Sequence, residues 1–184
     1  MYFNNETVLY LDGKFVKASE STTDLYGQTL HYGYGAFEGI RSYETEHGTK
    51  VFKAEEHYER LKKSCELVKI PFDYKVQELV EATYELLEKN NLKNAYIRPL
   101  VYCAPNMSLT KPTSVSLMIA VWDWGAYLGE KLLRLTVSSY CRPHPKSIHI
   151  EAKICGHYVN SILATTEAKE KGFDEALLLD SDGF

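Results

Sequence analysis

A few side chains in this sequence have the type and setting to do chemistry. Lys153 follows Glu151-Ala152 and precedes Cys155-Gly156, a glycine-containing turn ahead of a helical stretch. A lysine amine attacks a carbonyl carbon when it is presented in its neutral form. Most other lysines read as solvated surface charge, so residue type alone leaves Lys153 one candidate among many. Tyr158 offers a hydroxyl nearby, or simply an aromatic ring packed at a helix start. Arg60 and Arg98 offer guanidinium forks that match carboxylate or phosphate oxygens. Arg60, beside Glu59 and Lys62 on a helix, also has the pattern of an ordinary surface charge. Arg98, just before Pro99 in a strand-like run, also suits a structural ion pair.

Other chemistry is disfavoured. The run His31 to Arg41, HYGYGAFEGIR, holds Gly33, Gly35 and Gly39. The backbone there must bend or come close to something, and the run is no ordinary helix. It lacks the G-x-x-x-x-G-K-[ST] pattern and the strand-turn-helix setting of a phosphate loop. Cys65, Cys103, Cys141 and Cys155 form no C-x-x-C pair, so neither a zinc site nor a dithiol redox motif is expected. The net charge is -4 with both signs interspersed, which argues against a nucleic-acid partner. The longest apolar run, 115–122, is too short to cross a bilayer. With no secretory signal and few cysteines, the expected compartment is the cytoplasm. The 14 tyrosines suit either an aromatic-walled site or plain core packing.

The elements that must position these residues follow from local pattern. Strand-like runs at 7–11 and 14–18 flank Asp12-Gly13, a hairpin signal. A second hairpin is expected from 40–43 and 49–52 around His47-Gly48. Residues 54–68 read as a helix, with Tyr58, Leu61, Cys65 and Val68 on one stripe, stopped by Pro71. A second amphipathic helix spans 76–87. Strands are expected at 95–102 and 114–122, with a proline-bearing loop between them. Beyond a junction at 122–127, a strand begins at 132–140, a helix spans 160–171 and ends at Gly172, and a strand occupies 176–179. The turn at 180–183 leads that strand to expect a neighbour beyond it, so the sequence is expected to stop before its domain does.

The two segments HYGYGAFEGIR with FKAEEHYERL (52–61), and AKICGHYVNS (152–161) with the helix and strand of 167–179, resemble the branched-chain aminotransferase family. That family lies in the fold-type IV class of pyridoxal 5'-phosphate (PLP) enzymes. AYIRPL (95–100) and WGAYLG (124–129) fit in order and spacing, so the resemblance covers essentially the whole chain. It implies an α/β (α+β) fold: a small N-terminal α/β domain over 1–124, a junction at 125–129, and the start of a larger β-rich, cofactor-binding domain over 130–184. The resemblance implies that Lys153 forms an imine with the cofactor aldehyde and carries the proton at the substrate α-carbon. It places Tyr158 on the cofactor's phenolic oxygen and Arg60 on its phosphate. Tyr32, Phe37, Tyr96, Arg98, Trp124 and Tyr127 would surround the substrate, with Arg98 meeting the distal carboxylate of glutamate. Arg41 is a family position without an assigned role.

The implied reaction moves the amino group of Leu, Ile or Val to 2-oxoglutarate, with amino and 2-oxo acids as partners and a homodimer or higher homo-oligomer as the assembly. The family's carboxylate for the pyridine nitrogen would fall beyond Phe184. Gly156-His157-Tyr158 favours the branched-chain group over D-amino-acid aminotransferases and aminodeoxychorismate lyases. An amine transaminase, or a non-catalytic small-molecule-binding remnant, are the alternatives.

Overall fold

The computed structural model describes residues 2–125 and 131–184. Its elements in chain order are β1 (Val8–Leu11), β2 (Lys14–Lys17), α1 (Gln28–Tyr32), β3 (Gly35–Phe37), β4 (Ile40–Thr45), β5 (Gly48–Val51), α2 (Ala54–Leu67), α3 (Val76–Lys89), β6 (Tyr96–Cys103), β7 (Val115–Trp122), β8 (Leu135–Val137), α4 (Tyr158–Glu170) and β9 (Glu175–Leu177). The fold is mixed α/β, as expected.

The main sheet has 7 strands in the order β2-β1-β7-β6-β4-β5, with β3 also paired to β6. Its first hairpin closes through Asp12 and Gly13, both with positive φ (46° and 85°), as the Asp-Gly turn predicts. β6 and β7 pair antiparallel along their whole length, and burial alternates along both. Ile97, Val101, Leu117, Ile119 and Val121 point into the core. That face is covered by α2, through Tyr58, Leu61 and Cys65, and by α3, through Leu79, Leu86 and Leu87. The spacing of these residues puts them on one side of each helix. Val68, expected on the α2 stripe, is its C-terminal cap and packs against the core's edge. The other face of β6 and β7 carries Tyr96, Arg98, Leu100 and Trp122, all half-buried.

β3 and β4 lie end to end along the same edge of β6. Gly35 to Phe37 pair with Tyr102 to Leu100, and Ile40 and Arg41 with Ile97 and Tyr96. The break between them, Glu38-Gly39, sits opposite Pro99, whose carbonyl accepts the Glu38 N–H at 3.0 Å. Proline has no N–H to return, so this is where the ladder tolerates an interruption.

Four expectations change. The glycine-rich run begins inside a short helix, α1, ended by Gly33 in the left-handed conformation. The expected strand at 132–140 shrinks to β8. The strand at its C-terminal side, β9, pairs in parallel with β8 through the α4 crossover, whereas the sequence pattern points to a neighbour only beyond the turn. The helix of 160–171 starts earlier, at Tyr158, after a 3-10 turn over Cys155–His157. Residues 126–130, which include most of the expected junction, lie outside the described residues.

The C-terminal segment is attached to the sheet where two glycines cross. Gly156 N–H donates to Gly33 O at 2.9 Å. A Cβ on Gly33 would lie 2.6 Å from Gly156 Cα, and Gly33 has φ +65°. Gly13 has positive φ too, but a Cβ there meets nothing within 4 Å. Gly33→Ala therefore carries backbone strain and a clash, and Gly13→Ala carries strain alone. The expected cost is roughly 2–5 kcal/mol for the first and about 1–2 for the second, read as the difference between the two melting temperatures. Equal losses would show that the crossing is not tight.

α4 is tied to β8 by Glu167. Lys171 Nζ lies 2.6 Å from Glu167 Oε1, and Ser138 Oγ and Ser139 N–H donate to Oε2 at 2.6 and 2.9 Å. These contacts, Lys171 first, hold the carboxyl at about 2, against an ordinary value of 4.5. A depressed folded pKa adds stability that is present above 4.5 and is lost as pH falls toward 2. The melting-temperature gap between the protein and Glu167→Gln should thus be widest near neutrality and close over that acid range. A gap independent of pH would show that the charge is not what matters.

Candidate active site

The site is built around the backbone of Lys153. Its N–H donates to Ser64 Oγ at 3.0 Å, and its carbonyl accepts the Phe37 N–H at 3.1 Å. Next to it, Ile154 makes a β-bridge with Ala36. Ser64 is 1% exposed and belongs to α2. Helix and strand together fix where the lysine side chain leaves the main chain.

From there Lys153 Nζ reaches Tyr158 Oη, 2.5 Å away. It lies 4.7 Å from the Phe37 ring centroid and 4.9 Å from that of Tyr158, and the two rings meet edge to face at 4.9 Å. The 3-10 turn over Cys155–His157 delivers Tyr158 back toward the lysine.

One helical turn before Ser64, on the same side of α2, stands Arg60. Arg60, Arg142, Lys153, His157, Tyr158 and Ser161 line one hollow of about 200 Å³. Arg60 is gripped from behind by Glu38, which is 0% exposed. Nε donates to Oε1 at 2.6 Å and Nη2 to Oε2 at 2.7 Å. His57 Nδ1 lies 2.9 Å from Oε2. Burial pushes the Glu38 carboxyl up, but the hydrogen bonds from Arg60 and His57 outweigh it and hold it below the usual carboxylate range. The Arg60 guanidinium is raised in turn, chiefly by that same hydrogen-bonded carboxylate. On the hollow's other wall, burial pushes His157 down, against its hydrogen bond to the Ala152 carbonyl at 3.1 Å.

Arg98 enters from the open face of β6. Its guanidinium carbon lies 4.7 Å from the centroid of Phe37 and 5.1 Å from that of Tyr96, and Nη2 donates to Tyr96 Oη at 3.0 Å. Its Nε is buried without a hydrogen-bond partner. Among the described residues Arg98 has no carboxylate within ion-pair distance, so the structural-pair alternative has no partner there. Tyr96 packs on Trp124, ring centroids 5.0 Å apart. Arg41 holds that corner by donating to the Trp124 and Gly125 carbonyls at 2.6 and 3.1 Å. Gly39 leaves room for Tyr96: a Cβ there would lie 2.2 Å from Tyr96 Oη.

Thus Lys153, Tyr158, Phe37, Arg98, Tyr96 and Trp124 form one connected set, and Arg60 shares the lysine's hollow. Tyr32 does not join them. It is 44% exposed, donates to the Met107 carbonyl at 3.0 Å and lines a separate groove. Tyr127 lies outside the described residues. The sequence reading missed Glu38, His57 and Ser64. Glu38 left one signal, an acidic residue amid the glycine, aromatic and apolar residues of 32–40; Ser64 left none.

The chain is similar to known proteins over nearly all its length. The model of the family described as amino-transferase class IV matches residues 35–184. The chain is 40% identical to the branched-chain-amino-acid aminotransferase of Pseudomonas aeruginosa, covering 98% of this chain and 61% of that protein. It is 36% identical to the Escherichia coli enzyme of the same name, covering 96% and 59%. The fold superposes on a crystal structure of the Escherichia coli branched-chain amino acid aminotransferase with a TM-score of 0.93 at 35% identity, over 96% of this chain and 60% of that one. A branched-chain aminotransferase from Thermoproteus uzoniensis, solved with norvaline, gives 0.92 at 35% identity over the same shares. One from Thermobaculum terrenum, solved in its PLP form, gives 0.86 at 28% identity, over 97% of this chain and 60% of that one. The chain therefore spans about 60% of the length of the relatives it matches. With the family model matched from the glycine-rich run to Phe184, and a lysine, a tyrosine and an arginine converging on one hollow, the chain belongs to the amino-transferase class IV family.

Proposed function

We propose that the protein is a PLP-dependent aminotransferase that moves the amino group of Leu, Ile or Val to 2-oxoglutarate. The observation that carries this reading is the Lys153–Tyr158 contact at 2.5 Å in a hollow shared with Arg60. Its support from similarity is the run of branched-chain aminotransferases among the relatives.

The residues present fit PLP. The group offers an aldehyde, a phenolic oxygen and a phosphate, and the hollow offers an amine, a hydroxyl beside it and a guanidinium. When bound, PLP supplies a carbon that takes and returns an amino group, and a ring that draws electrons from the amino acid's α-carbon. Lys153 Nζ is the covalent attachment point and, once released, the group that moves the proton at that α-carbon. Tyr158 Oη, which accepts a hydrogen bond from Nζ, would exchange a proton with Nζ and hydrogen-bond the phenolic oxygen of the bound group. Arg60 binds phosphate oxygens through the N–H groups that Glu38 leaves free. Phe37, Tyr96 and Trp124 wall the aliphatic side chain, and Tyr127 belongs to the same proposed wall. Arg98, cushioned on aromatic rings with Nε unpartnered, receives the distal carboxylate of the acidic substrate.

Tyr32 takes its proposed role from a second copy. It hydrogen-bonds the Met107 carbonyl, and Leu25, Tyr26, Leu30, Met107 and Leu109 on the same two segments are exposed too, which suits a homodimer in which this surface borders the partner's site. Residues 1–124 form the proposed smaller domain, and 130–184 the start of the cofactor-binding one. Among the described residues no helix is long and apolar enough to cross a membrane, and the proposed compartment is the cytoplasm.

Added PLP should give the purified protein a visible absorbance band. Borohydride reduction should leave a pyridoxyl label on the peptide containing Lys153. Lys153→Ala should lose the label and at least about 10³-fold of turnover. A label on another lysine, or unchanged turnover, would overturn the assignment.

Gly39→Ala should push Tyr96 Oη aside and with it the Arg98 guanidinium. The expected result is a rise in KM for 2-oxoglutarate of about tenfold, the order expected for a lost hydrogen bond to a charged group, with a smaller change for leucine. Equal changes for both substrates would show that Arg98 does not read the acidic chain.

A further inference from the structure

We propose that Glu38 is the positioning residue of the anion-binding arm, acting through Arg60 and never touching the anion itself. The inference rests on Arg60 binding the cofactor phosphate.

Three observations carry it. Arg60 is a long side chain that is 54% exposed, and an arginine in that setting ordinarily samples many rotamers. Here a rigid acceptor engages one edge of its fork, through Nε at 2.6 Å and Nη2 at 2.7 Å. The acceptor is itself fixed. Glu38 is 0% exposed, its N–H is bound to Pro99 O at 3.0 Å, and Oε2 also lies 2.9 Å from His57 Nδ1 and 3.3 Å from Gly39 N. Since the carboxylate can only accept, His57 must carry its proton on Nδ1. The 3.5 Å approach of Arg60 Nη2 to that nitrogen is then between two donors and holds nothing. Among the described residues, the orientation of Arg60 depends on Glu38 alone for the hydrogen bonds of its guanidinium.

This arrangement leaves Nη1 and the outer hydrogen of Nη2 facing away from Glu38. The remaining donors are parallel and aimed before the phosphate arrives, so binding orders nothing further in Arg60. The same carboxylate partly offsets the arginine's charge and so works against a dianion. A site selected for charge alone would not place a buried carboxylate there. Glu38 is explained if fixing the fork outweighs the repulsion.

The two effects have opposite signs, and two substitutions separate them. Glu38→Asp keeps the charge but is one methylene too short to meet both nitrogens. Glu38→Gln removes the charge and keeps one oxygen for Arg60 Nε. The dissociation constant for PLP is measured by absorbance titration, inorganic phosphate is titrated as a competitor, and melting temperatures are taken in parallel. The expected result is PLP binding about three- to tenfold weaker in Glu38→Asp, partly restored in Glu38→Gln. Both effects should vanish in an Arg60→Ala background, because Glu38 then has nothing to aim. Three results would overturn the proposal: tighter binding in Glu38→Gln, a loss of melting temperature with unchanged affinity, or an affinity loss that persists without Arg60. If Arg60→Ala alone leaves PLP affinity unchanged, the phosphate role of Arg60 falls first and this inference falls with it.

Discussion

Lys153 gives its N–H to Ser64 Oγ and its carbonyl to the Phe37 N–H, so neither polar group of its backbone is left to water. A reactive amine on a loop is useful only if its root does not wander, because a flexible four-carbon stem already brings freedom enough. The clamp needs α2 and β3 to present an oxygen and an N–H to one residue from two directions. It also needs the loop before α4 to lie against the sheet, and the Gly33–Gly156 crossing provides that approach. Gly33 belongs to the site for this reason: a Cβ there would press on the Gly156 backbone at 2.6 Å and push the loop that carries Lys153 away from the sheet.

The β3–β4 edge along β6 is the second requirement. A strand sends successive side chains alternately to the two faces. The register with β6 is kept across Glu38-Gly39, with Phe37 opposite Leu100 and Ile40 opposite Ile97, so the alternation runs through the break and this edge serves the site from both faces. Phe37, opposite Leu100, supports Lys153 and Arg98 on the open face. Glu38 turns to α2 and takes Arg60 and His57. Gly39 leaves space for Tyr96. Adjacent residues thus reach groups that lie on different layers of the molecule.

Much of the frame was legible from local pattern. The stripe of Tyr58, Leu61 and Cys65 announced α2, the alternation in β6 and β7 announced a half-covered sheet, and Asp12-Gly13 announced the first hairpin. Such signals are local because burial at a fixed period is a property of one segment. The β8–β9 pairing was missed because it joins short strands across a helix, and nothing in either segment names its partner. α1 was missed because the glycine that ends it drew the reading toward a loop. In the site, Lys153 and Tyr158 came from motif resemblance, and the structure brings them together. The Glu38–Arg60 pair spans 22 residues and joins a strand break to a helix, and the Ser64–Lys153 bond spans 89. Neither could be read from spacing. Tyr32 shows the converse: the motif named it, yet its ring lines a different groove, a placement that the proposed homodimer would account for.

Arg60 and Arg98 are held by opposite means. Arg60 is fixed by a carboxylate that engages an edge of its fork, so it keeps direction and gives up part of its charge. Arg98 lies on the faces of Phe37 and Tyr96, where rings stabilise a cation without neutralising it, and among the described residues its guanidinium donates to a tyrosine hydroxyl rather than to a carboxylate. In the proposed reading these holds match the anions. The cofactor phosphate stays through every turnover, so a fixed and partly compensated fork suits it. The distal carboxylate comes and goes, and in the alternate half-reaction an aliphatic chain must pass the same wall. An arginine stacked on aromatic rings can meet a carboxylate with its charge intact, yet present the rings to the aliphatic chain when no carboxylate is there. A second carboxylate beside Arg98 would remove that choice, because a standing ion pair would compete with the substrate's own acid.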